Sequence, residues 1–169
     1  MKKVLVIGGA GFLGYHLTKN LISKKNCEIT LLDNFSRGRK DKYFKRILLN
    51  KRVNILNKDL TKKINNYDKN YDLIFQFAAI IGVNNVLKNP MLVLNNNFLI
   101  QKNAIEISEN QNNLKRFIFS STSEVHLGNQ KNKKLKYPTK ESHEILLNHL
   151  DHSRTSYSLS KIYCESMCH

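Results

Sequence analysis

No apolar run in the 169 residues is long enough to cross a membrane. The basic start, Lys2-Lys3, leads into an apolar stretch, Val4 to Ile7, that is too short for a secretory leader and runs straight into glycines. Metal spacing is missing from the three cysteines, Cys27, Cys164 and Cys168. Cys164 and Cys168 share a helix face with His169 adjacent, a pairing of the kind that arises by accident, so no metal is expected. Reduced thiols fit the cytoplasm, which is the expected compartment, with no membrane partner. Internal repeats and low-complexity linkers are also lacking, and the length favours one domain with a real core. Acid is scarce: 13 Asp and Glu stand against 28 Lys and Arg, a formal net charge of +15. Such a surplus can signal nucleic acid. Here the lysines are scattered among asparagines and isoleucines, which reads as a solvated basic surface. Nucleic acid is therefore not the expected partner; a true binder would show a steep salt dependence.

What the chain does have is a strong beginning. Val4-Leu5-Val6-Ile7 is a short, β-branched apolar run. It breaks into Gly8-Gly9-Ala10-Gly11 and reopens at Phe12-Leu13-Gly14 with a helical pattern that continues to Ser23. Strand, tight turn and helix start form a place for a diphosphate. Glycines let backbone come close, and the helix offers unpaired N–H groups and the positive end of its dipole. The glycines fit G-x-G-x-x-G as Gly9, Gly11 and Gly14, and Gly8, Gly11 and Gly14 fit equally well. Asp33 closes the next apolar run, 19 positions past Gly14, where about 20 is expected of an acid that takes ribose hydroxyls. A carboxylate there repels the 2′-phosphate of NADP, so NAD is the expected cofactor. Arg37 and Arg39, just downstream, could accommodate that phosphate instead.

Strands are expected at Lys3–Ile7, Glu28–Leu32, Val53–Leu56, Leu73–Phe77 and Arg116–Phe119. Helices are expected at Phe12–Ser23, Lys42–Leu49, Asn84–Leu87, Pro90–Asn110 and Tyr157–Met167, and the polar stretch from Lys131 to Ser153 as loop. The alternation implies an α/β fold: a Rossmann-type doubly wound parallel sheet in the order 3-2-1-4-5. Ligands of such sheets lie beyond the carboxyl ends of the strands. The residues there are the glycines, Asp33-Asn34, Asp59-Leu60, Ala78-Ala79 and Ser120-Ser121-Thr122-Ser123-Glu124. Tyr157 and Lys161 lie four apart on one helical face. An ammonium beside a phenol favours the phenolate, which can then act as a general base toward a sugar or alcohol hydroxyl.

Together these residues resemble the extended short-chain dehydrogenase/reductase family, the NAD-dependent nucleotide-sugar epimerases and dehydratases. The resemblance runs through Gly8 to Gly14, Asp33-Asn34, Asp59-Leu60, Ala78-Ala79, Asn97, Ser120-Ser121-Thr122 and Tyr157-x-x-x-Lys161. It implies NAD held by Gly8, Gly11, Phe12, Leu13, Gly14, Asp33, Asn34, Asp59, Leu60, Ala78, Ala79, Asn97, Tyr157 and Lys161. It implies Tyr157 as base, Lys161 as its tuner and ribose ligand, Thr122 as hydrogen-bond partner of the reacting hydroxyl, and a nucleotide sugar oxidised transiently at its 4-hydroxyl. Glu124 is similar to the residue that moves a proton beside the ketone in the dehydratase and decarboxylase branch. Three departures stand out. Gln76 replaces a frequent His; Val125-His126-Leu127-Gly128 is one residue longer than the usual Val-Tyr-Gly; and the chain stops at His169, short of the family's substrate domain. The expectation is one incomplete NAD-binding domain over residues 1–169, with impaired activity that a complementing C-terminal fragment would restore, and with homodimerisation through its long helices. The alternative is a non-catalytic NAD(P)-binding regulatory or redox-sensing Rossmann protein.

Overall fold

The computed structural model describes residues 1–38, 40–131, 136–147, 149–152 and 154–169, the side chains of residues 130 and 131 excepted. Arg39 lies outside the described residues. Two compact units are present, one of Met1–Ala79 with Leu99–Ser120, the other of Ile80–Phe98 with Ser121–His169.

The first unit is built on β1 (Lys2–Ile7), β2 (Cys27–Asp33), β3 (Val53–Asn57), β4 (Leu73–Gln76) and β5 (Arg116–Phe119). All neighbours are parallel and the order is β3-β2-β1-β4-β5, as the alternation of the sequence requires. Val4, Leu5, Val6 and Ile7 are all fully buried, because the central strand of a sheet covered on both faces has no polar side to show. Alternate side chains then feed two cores. Val4 and Val6 join Ile29, Leu31, Leu21 of α1 (Phe12–Ser23) and Phe44 and Ile47 of α2 (Lys42–Leu48). Leu5 and Ile7 join Leu32, Ile74 and, from the later turns of a long helix, Ile100, Ala104 and Ile107. Asp41 caps α2 by accepting from the Phe44 N–H at 2.8 Å.

One polar pair lies inside this unit. Gln76, at 1% exposure, donates through Nε2 to Oε1 of the fully buried Gln101 at 3.1 Å. The departure at Gln76 is thus matched by a second amide 25 residues on.

The second unit contains α3 (Val83–Lys88), the opening of α4 (Pro90–Glu109), a 3-10 turn (Ser123–His126), α5 (Leu127–Lys131) and α6 (Thr155–Ser166). The turn and α5 were not expected from the sequence. Gly128 donates to the Leu146 carbonyl at 3.1 Å, and a Cβ at Gly128 would collide with that oxygen. Between α5 and α6 the described residues form no helix or strand. Among the described residues no helix is long and apolar enough to cross a membrane.

Candidate active site

In the first unit the glycine turn begins where β1 ends. Gly8 takes φ +78°, and a Cβ on it would lie 2.7 Å from the Ala78 nitrogen. A Cβ on Gly14 would lie 2.4 Å from the Gly8 carbonyl oxygen. Both glycines are therefore needed by the chain's own packing: one lets the segment after β4 approach, the other lets α1 sit close on the turn. Gly11 differs, since a Cβ there would meet only the Gly8 oxygen, at 3.3 Å. Gly11 is the N-cap of α1; it has no side chain to close the helix, and no acid stands in the first turn. Phe12 and Leu13 follow with exposed side chains. The positive end of a 12-residue helix is thus open to an anion.

Asp33 organises the same region. Its Oδ2 accepts from the Ala10 N–H at 2.9 Å and its Oδ1 from the Phe35 N–H at 2.7 Å. The second bond holds Phe35 in the left-handed region, at φ 57°. Each carboxylate oxygen still has a lone pair for a diol. Asp59, beyond β3, accepts from the Thr61 N–H and hydroxyl, both at 2.9 Å, and from the Asn34 side chain. Desolvation pushes the Asp59 carboxyl up, but these donors outweigh it and hold the carboxyl below its usual range. The Leu60 side chain is committed to the core, and its carbonyl accepts from Asn103 Nδ2 at 2.7 Å. Open helix end, carboxylate with spare acceptors and small Ala78-Ala79 fit a dinucleotide's diphosphate and ribose.

In the second unit, Thr122 caps the 3-10 turn: its Oγ1 accepts from the Glu124 N–H at 3.3 Å. The same hydroxyl is hydrogen-bonded to the Tyr157 phenol on α6. Glu124 Oε1 accepts from Arg154 Nη2 at 3.1 Å. One turn beyond Tyr157, Lys161 is only 3% exposed. Burial pushes its ammonium down to about 8, against weaker opposing pulls from Cys164 and Glu165.

The tuning of Tyr157 differs from the expectation. Burial raises the phenol, and the Glu124 charge adds to the rise; only the hydrogen bond with Thr122 favours the phenolate. Helical spacing places a lysine near a tyrosine, but it carries no information about how deeply both are buried.

Asn97 is 3% exposed and acts as a brace. Its Oδ1 accepts from the Ile80 N–H at 2.7 Å, and its Nδ2 donates to the Ile80 carbonyl at 3.2 Å and to Ser160 Oγ at 3.1 Å. Ser160 in turn donates to the Tyr157 carbonyl at 2.7 Å. Ser160 and Arg154 were not singled out from the sequence. Their signal is position alone, one residue before Lys161 and three before Tyr157.

A parallel sheet in this order, with a glycine turn opening a helix after the first strand and an acid closing the second, is a Rossmann-type dinucleotide-binding fold. The chain belongs to the NAD dependent epimerase/dehydratase family, whose model matches residues 4–169. The cofactor that goes with this family is NAD. The UDP-N-acetyl-alpha-D-glucosaminuronate decarboxylase of Bacillus cytotoxicus is 31% identical over 170 residues, which cover 99% of this chain and 49% of that protein. The dTDP-D-glucose 4,6-dehydratase of Dictyostelium discoideum is 34% identical over 136 residues, 75% of this chain and 30% of that one. Among solved structures, the UDP-Glc/GlcNAc 4-epimerase of Campylobacter jejuni superposes with a TM-score of 0.77 at 26% identity, over 99% of this chain and 48% of that one. The chain spans half or less of the length of these relatives.

Proposed function

We propose that residues 1–169 carry the NAD-binding and proton-transferring groups of an enzyme that oxidises a nucleotide sugar transiently at its 4-hydroxyl. The observation that carries the reading is the second unit's constellation: a half-buried Tyr157 phenol hydrogen-bonded to Thr122, with the buried Lys161 ammonium one turn along α6. The first unit supports it with the open α1 terminus for a diphosphate and Asp33 for the adenosine ribose. When bound, NAD supplies the two-electron acceptor. The chain's own residues do the rest. Tyr157, as phenolate, takes the proton of the 4-hydroxyl. Thr122 donates its one hydroxyl proton to the phenolate in the free chain and turns it to the oxygen of the 4-hydroxyl when the sugar is bound. Lys161 brings positive charge to a poorly hydrated place, where it counts for more than in water.

Glu124 favours the dehydratase and decarboxylase branch over plain epimerisation. Its side chain, paired with Arg154, is the group that would accept a proton beside the new ketone. A second copy of the chain is the proposed partner. Met91, Leu92, Phe98, Leu159 and Tyr163 line an apolar hollow of about 670 Å³ between α4 and α6. Three of them, Met91, Leu92 and Tyr163, are exposed in the single chain. Leu92→Arg should then turn a dimer into a monomer in sedimentation without loss of fold.

The test of the function is a single turnover. Wild-type chain with NAD and a panel of UDP- and dTDP-sugars should give absorbance at 340 nm, with absorbance from Tyr157→Phe reduced by roughly 10²–10⁴ in rate. NAD binding with no reduction by any sugar in the panel, unaffected by Tyr157→Phe, would favour a non-catalytic NAD-binding protein.

A further inference from the structure

Around Tyr157 four residues close a ring of hydrogen bonds. Arg154 Nη2 donates to Glu124 Oε1 at 3.1 Å. The Glu124 N–H donates to Thr122 Oγ1 at 3.3 Å. Thr122 is bonded to the Tyr157 phenol. The Tyr157 N–H donates to the Arg154 carbonyl at 3.2 Å, which closes the ring at the first turn of α6. Arg154 is itself the N-cap residue of that helix. An ordinary ion pair with side chains 40% and 27% exposed contributes little to stability. This pair is different in what its members are attached to: one sits on the frame of the base, the other on the turn that carries the base's hydrogen-bond partner.

We propose that Arg154 is a positioning residue: its guanidinium fixes the Glu124 carboxylate to the first turn of α6, so that Glu124 and Tyr157 are held in one register and the carboxylate's charge is compensated beside the phenol. The inference deepens the function proposed above, and rests on that reading's assignment of proton transfer to Tyr157 and Glu124. The charged groups in question are Glu124 from the 3-10 turn, and Arg154 and Lys161 from α6 itself. Glu124 pushes the phenol up. Arg154 neutralises the group that does so. Removing Arg154 should therefore raise the phenol's titration midpoint, and removing Glu124 should lower it.

The experiment follows Tyr157 in the full chain by ¹³C-tyrosine NMR against pH, its signal assigned with Tyr157→Phe. Neither NAD nor sugar is needed. Arg154→Gln should raise the midpoint by about 0.5. Glu124→Gln should lower it. Arg154→Lys, which keeps the charge and guards against a folding defect in the glutamine variant, should fall nearer to wild type than Arg154→Gln. The double variant Arg154→Gln/Glu124→Gln should match Glu124→Gln alone, because Arg154 acts through Glu124. A midpoint unmoved by Arg154→Gln, or moved equally with and without Glu124, overturns the proposal. Failure of the parent reading looks different: the titrations follow the pattern while wild-type chain reduces no NAD with any nucleotide sugar.

Discussion

The two units of the chain solve opposite problems. In the first, buried residues are overwhelmingly apolar and packed by strand alternation, from Val4 through Ile74 to Ile107. In the second, the buried hydrophobics among the described residues are Val86, Val93, Val125 and Cys164, set among buried Asn97, Asn129, Thr155, Ser158, Ser160 and Lys161. Apolar burial stabilises without direction; buried polar groups must each be satisfied and so fix geometry. The first unit is a scaffold with a binding edge. The second gives up some stability to hold a phenol, its hydrogen-bond partner and a buried ammonium in place.

That contrast can be broken in order of effect. Tyr157→Phe should cost roughly 3–5 kcal/mol of the barrier, read as the slowed single turnover, while thermal unfolding and NAD binding stay near wild type. Gly14→Ala should do the reverse. Its Cβ would meet the Gly8 oxygen at 2.4 Å, and the displaced helix should cost on the order of 3 kcal/mol in denaturant unfolding together with NAD affinity.

Lys161→Met sharpens the comparison most. Burial depresses this ammonium from 10.5 to about 8, so the folded chain bears a desolvation cost at neutral pH that the unfolded chain does not. The folded state gives up the proton first on titration. Stability from this group therefore rises with pH between about 8 and 10.5, instead of falling. The methionine variant should be more stable at pH 7 by something on the order of 2 kcal/mol, less so as pH climbs through that window, and catalytically dead. Equal unfolding curves at pH 7 would remove the claim that the second unit trades stability for chemistry. The smallest effect is Asp59→Ala. Loss of the Thr61 bonds should cost about 1 kcal/mol by thermal unfolding. Because the Asp59 carboxyl is depressed, its contribution is present above the unfolded carboxylate range and fades as pH falls through the folded one.

The same contrast explains what could be read without coordinates. Phe12–Ser23 and Arg116–Phe119 match expectation to the residue, and the other strands differ by only a residue or so at an end. Apolar or periodic runs stopped by glycine or by polar residues write those boundaries into local sequence. The Ser123–Lys131 region was opaque, since S-E-V-H-L-G-N-Q-K has no apolar period and its start depends on the Thr122 cap. α6 begins at Thr155, two residues ahead of Tyr157, with no side-chain cap to mark its start. The glycines were legible as a pattern but not in their division of labour. Gly8 and Gly14 serve loop and helix packing, and Gly11 alone leaves the helix end open. Asp33 could be placed by spacing; its bond to Ala10 could not, because a 23-residue separation leaves no local trace. The 30-residue reach from Arg154 to Glu124 is invisible for the same reason.

Titration calorimetry of NAD into the purified 169-residue chain decides whether the glycine turn and Asp33 hold a dinucleotide. The open α1 terminus and Asp33 predict one NAD bound per chain, bound more tightly than NADP, and lost or sharply weakened by Asp33→Ala in protein that still unfolds cooperatively. A chain that unfolds cooperatively yet takes up no NAD, or binds it equally well without the Asp33 carboxylate, would contradict the account.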